Sequence, residues 1–239
     1  MKKALNYIVF VLLFGSLVFL FGFSAKRNSK KKVQQVSVEF AEGFKEFLNV
    51  AMVDKLLIQN QQPIQNKAKS IIDLQEIERA VVSNPYIESA SVYLTIDGLL
   101  KAKVKQRTPI ARVHSGNDIY YLDKEGVRVP LTEYYSARVL LVTGEFQVGD
   151  EQEIKSFVQR ILADDFLKKE IIGIHKTKSQ EWVLDTRIGN QKIEFGTLSK
   201  EVIKFKKLKA FYNTTFADQT INNYRTINLK YHNQVVCTK

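Results

Sequence analysis

One cysteine, Cys237, in 239 residues excludes an internal disulfide and leaves the redox compartment unnamed. The three histidines, His114, His175 and His232, stand far apart, and none has a second ligand type at zinc spacing. The sequence lacks Gly-x-Ser-x-Gly, a phosphate-binding loop and Gly-x-Gly-x-x-Gly. Ser29-Lys30-Lys31-Lys32 fits the Ser-x-x-Lys pattern of penicillin-binding enzymes in form only, because no Lys-Thr-Gly follows and Lys176-Thr177-Lys178 is the nearest approach. No catalytic residue, metal site, cofactor or small-molecule substrate is therefore expected, and the alternative of an envelope enzyme such as a peptidoglycan transferase needs a deep pocket with convergent ionisable groups, which no motif here predicts.

Acidic residues are also missing from the start of the chain. None precedes Glu39, whereas Lys2, Lys3, Lys26, Arg27, Lys30, Lys31 and Lys32 are all basic. The formal charge of +11 is thus concentrated at one end, the body is close to balance, and nucleic acid is not an expected partner. Between the basic residues, Ala4 to Phe23 contains no charge and no proline and consists mostly of Leu, Ile, Val and Phe. As a helix it spans roughly 30 Å, the thickness of a bilayer's hydrocarbon core. Each large apolar residue near its centre favours insertion by about 0.3 to 0.6 kcal/mol. Lys2 and Lys3 with Gly22-Phe23-Ser24 also fit a cleaved secretory signal, but the apolar run is longer than a signal core needs, which favours a retained anchor. The basic flank reads as headgroup contact. Its excess on the C-terminal side argues for a cytoplasmic C-terminus, but large domains translocate largely regardless of charge, so the count leaves the orientation open.

The rest reads as alternating short elements. Val36, Val38 and Phe40 alternate with Ser37 and Glu39 as a strand, and a loosely helical stretch covers Val53 to Gln59. Asp73 and Glu76 have capping-box spacing ahead of a helix with Leu74, Ile77 and Val81 on one stripe, stopped by Asn84-Pro85. Ala90, Val92, Leu94 and Ile96 then face one way, as do Leu100, Ala102 and Val104. A three-residue bulged loop from Asp97 to Leu99 keeps these faces matched, with Lys101, Lys103 and Lys105 outward. This is a βααββ unit.

Strands follow at Ile110 to Val113, Ile119 to Asp123, Val127 to Val129 and Arg138 to Thr143. A helix capped by Asp150 and Glu153 buries Ile154, Phe157, Val158, Ile161 and Leu162. Trp182, Leu184 and Ile188 turn through Gly189-Asn190 onto Ile193 and Phe195. Ser199 caps a last helix whose core stripe is Val202, Phe205, Leu208 and Tyr212, with Lys204, Lys206, Lys207 and Lys209 forming a solvated face. The closing strand runs Thr226 to Val236, with Ile227, Leu229 and Tyr231 on one face. An edge placement would leave its N–H and C=O groups open to a partner strand, whereas an internal placement would simply close the fold.

Several motifs, in order, resemble the FtsQ/DivIB bacterial cell-division family. Asn84-Pro85-Tyr86-Ile87 with Ala90-x-Val92 is similar to its helix end and second strand. Gln106-Arg107-Thr108-Pro109-Ile110-Ala111 resembles its Glu-Arg-x-Pro-x-Ala junction, with Gln for Glu. Tyr121-Leu122-Asp123-x-x-Gly126, Val139 to Gly144 and Ile227-Asn228-Leu229-Lys230-Tyr231 resemble its turn, a later strand and its closing strand. The resemblance implies an α+β chain with a cytoplasmic tail at 1–3, a transmembrane helix at 4–23, a basic linker at 24–34, a POTRA domain at 35–107 and a β domain at 108–239.

It also implies a non-enzymatic, single-pass inner-membrane protein with a cytoplasmic N-terminus and periplasmic domains, enriched at the division septum. Such a protein would link divisome proteins, binding an FtsB/FtsL pair by strand addition at the closing strand, with an FtsK-like protein as a further partner. Asn228, Lys230, Tyr231 and His232 would then lie at the contact, although Lys at 230 in place of Arg loses a bidentate fork. The alternative is a POTRA-bearing assembly factor for outer-membrane or secretion machinery.

Overall fold

The computed structural model describes residues 2–29, 31–59 and 62–239. They form two compact units, Met1–Gln106 and Arg107–Lys239.

The first unit opens with α1 (Lys2–Ser29), which contains a stretch apolar and long enough to cross a membrane, Val9–Asn28. Its described side chains are exposed, as expected of a surface whose solvent is lipid. The unit's folded part then runs β1 (Gln35–Phe40), α2 (Val50–Asp54), a minimal hairpin of β2 (Ile58–Gln59) and β3 (Gln62–Pro63), a 3-10 turn at Lys69–Ile71, α3 (Leu74–Val82), β4 (Ile87–Leu94) and β5 (Leu99–Gln106). β5 is central, parallel to β1 and antiparallel to β4. The expected helical stretch over Val53 to Gln59 is shorter, because Asn49 caps α2 early and the chain turns into β2.

Asp73 caps α3 as its spacing predicts, accepting from the N–H groups of Gln75 and Glu76, each at 3.0 Å. Ile77 and Val81 bury their side chains, as do Leu100, Ala102 and Val104 of β5. The β4–β5 faces match, but the register differs from expectation: Leu94, and not Ile96, pairs with Leu100. Thr95 N–H donates to Leu99 O and Gly98 N–H to Thr95 O, so the bulged loop is Ile96–Gly98, one residue earlier than predicted. Parity survives and Ile96 moves to the tip.

Gln106 closes this unit. Its Oε1 accepts from Phe47 and Leu48 N–H at 2.9 and 3.0 Å, and its Nε2 donates to Leu48 O at 2.7 Å and Lys45 O at 3.2 Å. A glutamate lacks that donor, so the glutamine matches this loop.

The second unit is a nine-stranded sheet with helices packed into one core cluster against it. In chain order it has β6 (Pro109–Ser115), β7 (Asp118–Asp123), β8 (Arg128–Pro130), β9 (Leu140–Gly144), α4 (Glu151–Leu162), α5 (Asp165–Glu170), β10 (Ile171–Lys176), β11 (Trp182–Thr186), β12 (Lys192–Gly196), α6 (Glu201–Ala217), a 3-10 turn at Ile221–Asn223, β13 (Thr226–Asn228) and β14 (Val236–Thr238). The spatial order is β14-β13-β12-β11-β10-β9-β6-β7-β8. Phe157 of α4 sits 5.2 Å from Trp182 and 5.1 Å from Phe195 between ring centroids, fixing helix to sheet. Each such buried aromatic removes apolar area worth about 1.5–3 kcal/mol.

Several sequence expectations change here. Asp150 precedes α4 without a side-chain cap, because its carboxylate accepts from Gln147 N–H. Leu184 pairs with Ile193, leaving Ile188 in a longer loop built on Thr186, whose hydroxyl accepts from Gln191 N–H at 3.0 Å. Lys200, at φ +53, and not Ser199, occupies the α6 cap position, and Val202 is 53% exposed. The lysine face of α6 is only partly in water: Lys206 is exposed, whereas Lys204 is buried and donates to Thr197 O at 2.6 Å, and Lys209 pairs with Asp164. The single closing strand is two short strands, with β13 flanked by β12 and β14. The Ile227–Tyr231 segment is therefore not a sheet edge, because the chain reverses after Leu229 and covers β13 with β14.

Candidate partner-docking edge

The reversal between β13 and β14 brings the four expected contact residues to one corner. Ile227 and Leu229 are buried, which anchors the strand and leaves Asn228 on the opposite face. Asn228 donates to Glu194 and accepts Lys230 N–H at 2.9 Å, turning the chain outward. Lys230 then reaches Glu181 at 3.2 Å and Glu194 at 3.5 Å. The bond to Glu181 holds its ammonium above the ordinary lysine range. Gly196, at φ +74, lets the stem of Lys230 cross: a Cβ there would meet Lys230 Cγ at 2.8 Å. Tyr231 is 51% exposed and His232 is exposed beside it.

Lys207 of α6 holds this corner from below. Its ammonium donates to Leu229 O at 3.1 Å, to Tyr231 O and to Gln234 O at 3.4 Å. Desolvation lowers its proton affinity. Lys204 is lowered by desolvation first and by the charge of Lys207 second, with its ammonium 4.8 Å from the Phe195 ring centroid. The resulting open groove of about 300 Å³ is lined by Ser199, Ile203, Leu229, Tyr231 and His232 among others.

The structure brings Asn228, Lys230, Tyr231 and His232 together but moves the open backbone to β14, which ends the sheet with no described strand on its outer side. Glu181, Glu194 and Lys207 were not anticipated from sequence. The signal for the lysines was present, since Lys204 lies four residues before Leu208 and Lys207 four before Phe211, on the helix face that packs. Burial pushes the Cys237 thiol up, away from thiolate reactivity. Among the described residues no cluster of three or more His, Cys, Asp or Glu is placed to hold a metal ion.

Of the membrane flank, Lys26 and Arg27 occupy the last turn of α1, and Lys31 and Lys32 are exposed just beyond it. Lys2 and Lys3 fall in the first turn, and Lys30 lies outside the described residues.

Comparison with known sequence families matches residues 108–238 to the family described as FtsQ/DivIB, C-terminal related. Residues 32–105 match the POTRA-like domain. A search of individual curated proteins found no match. The first match covers more than half of the chain, including the whole described sheet and its β14 edge, and the chain therefore belongs to the FtsQ/DivIB family.

Proposed function

We propose that this protein is a bitopic inner-membrane scaffold of cell division, linking division proteins at the septum through its extracytoplasmic domains. A partner of the FtsB/FtsL type adds a strand to β14, while Lys230, Tyr231 and His232 supply side-chain contacts; an FtsK-like protein is a further partner. The supporting observation is a terminal strand with no described strand on its outer backbone edge, next to an exposed tyrosine on a braced turn. Main-chain pairing gives affinity in this mode, and alternate side chains give selectivity. The N-terminus is cytoplasmic and both folded units are periplasmic, as in the family. No reaction is assigned to the protein.

Two fusions test the reading. A reporter active only in the periplasm, joined after Lys239, should be active; activity of a cytoplasm-only reporter would reverse the orientation. A fluorescent fusion should accumulate at midcell. An even peripheral signal in dividing cells would favour an envelope assembly factor instead.

A further inference from the structure

The segment leaving α1 and the tip of the β4–β5 hairpin are strapped together. Lys31 N–H donates to Asn28 O at 3.1 Å, so the strap starts in the last turn of the helix. Lys69 N–H then donates to Lys31 O, and Gln34 N–H to Gly98 O, both at 2.9 Å. The Lys69 ammonium closes the loop, donating to Thr95 O at 2.6 Å and Ile96 O at 2.9 Å. Gly98 has φ +94, and a Cβ there would lie 2.8 Å from Lys32 O. Only glycine permits that approach.

This leash fixes where Ile96 goes. It lines one surface depression with Phe21, Ser24, Ala25 and Arg27 of α1. Ile96 is nevertheless 76% exposed, and Ile71, in the same 3-10 turn as Lys69, is 61% exposed. Neither gains from a protein core. Lys26, Arg27, Lys31 and Lys32 lie close along the chain, with Asp97 the acidic residue of the tip. Exposed isoleucine beside the end of an apolar helix, in one depression with Arg27 and Lys31, matches the boundary between acyl chains and anionic headgroups.

We propose that the β4–β5 tip dips into the bilayer interface from which α1 emerges, seating Ile96 at the acyl–headgroup boundary beside Phe21. The POTRA-like unit is then held against the lipid at two points, and its orientation to the membrane is set. The inference rests on α1 being the membrane anchor, and its test separates the two claims.

Full-length protein in a Cys237→Ser background is labelled with an environment-sensitive fluorophore at Ile96→Cys, Phe21→Cys or Val148→Cys. It is then reconstituted in phosphatidylcholine–phosphatidylglycerol vesicles with and without lipids spin-labelled near the headgroup. The expected result is blue-shifted, lipid-quenched emission at Phe21 and Ile96, and water-like, unquenched emission at Val148. Quenching at Phe21 with water-like emission at Ile96 overturns the hairpin inference and leaves the anchor standing. Water-like emission at both overturns the anchor and the inference together. An Ile96 signal that shifts only when a second protein's membrane segment is added also overturns it, because the occupant is then protein.

Discussion

The ammonium of Lys207 lies 3.1 Å from the carbonyl oxygen of Leu229, the last buried residue before the chain turns away from β13. The same ammonium holds Tyr231 O and Gln234 O, so one side chain from α6 shapes the turn that carries Tyr231 and delivers β14. Lys207→Met keeps the stem and removes the charge. It should cost about 1–3 kcal/mol in urea denaturation, as expected for hydrogen bonds to a charged donor, and should weaken partner binding as well. Tyr231→Ala should weaken binding with stability unchanged. Equal stability loss in the two variants would show that Lys207 does not brace the turn.

Asp123 is buried and accepts three kinds of contact: Arg107 Nη1 at 2.7 Å, Glu125 N–H at 2.9 Å and Val127 N–H at 2.7 Å. It therefore ties the first residue of the second unit to the β7–β8 turn. Asp123→Ala strands a mostly buried guanidinium, and a loss of about 3–5 kcal/mol is expected in chemical denaturation. A loss under 1 kcal/mol, the scale of a surface pair, would contradict this role.

Gln106→Glu tests the departure from the family's junction motif. The change removes the donor to Lys45 O and Leu48 O and puts a carboxylate against them. The first unit should lose about 2 kcal/mol or more, read from the melting of a fragment-specific probe in the full chain. An unchanged or higher melting temperature would show that the loop accepts either residue.

The hydrogen bond from Lys209 holds the Asp164 carboxyl below its ordinary 3.8, assisted by the N–H of Leu167. A depressed carboxylate stabilises the fold fully above its unfolded value, and that stabilisation is lost as pH falls through the folded value. The stability difference between the native chain and Lys209→Met should hold steady at neutral pH and shrink below the ordinary carboxylate range. A difference that persists unchanged into acid would place the effect of Lys209 elsewhere.

Element identities were legible in the sequence wherever one periodicity dominated: the apolar run of α1, the Asp73 cap and the alternating β5 pattern form as read, and the β4 pattern does so as far as Leu94. Registers were less so, because parity constrains a hairpin only to within two residues. At β4–β5 the hydroxyl of Thr95, bonded to Leu99, set the turn earlier, and at β11–β12 Thr186 did the same through Gln191. Lys204 and Lys207 of α6 misled because charge suggests water, while their long stems carry the ammonium groups to carbonyls at the sheet corner. The candidate edge was displaced for a related reason. A continuous polar stretch from Lys230 to Gln234 gives no local signal that the chain reverses there, since Lys207, far away in sequence, helps to fix the turn.

Hydrogen exchange on the full-length protein, with and without its FtsB/FtsL-type partner, tests the central claim most directly. New protection should appear within Val236–Thr238 and the adjoining turn, because strand addition pairs those β14 amides that face away from β13. Protection confined to the opposite edge at Arg128–Pro130, or no change in Val236–Thr238 under saturating partner, would contradict the account.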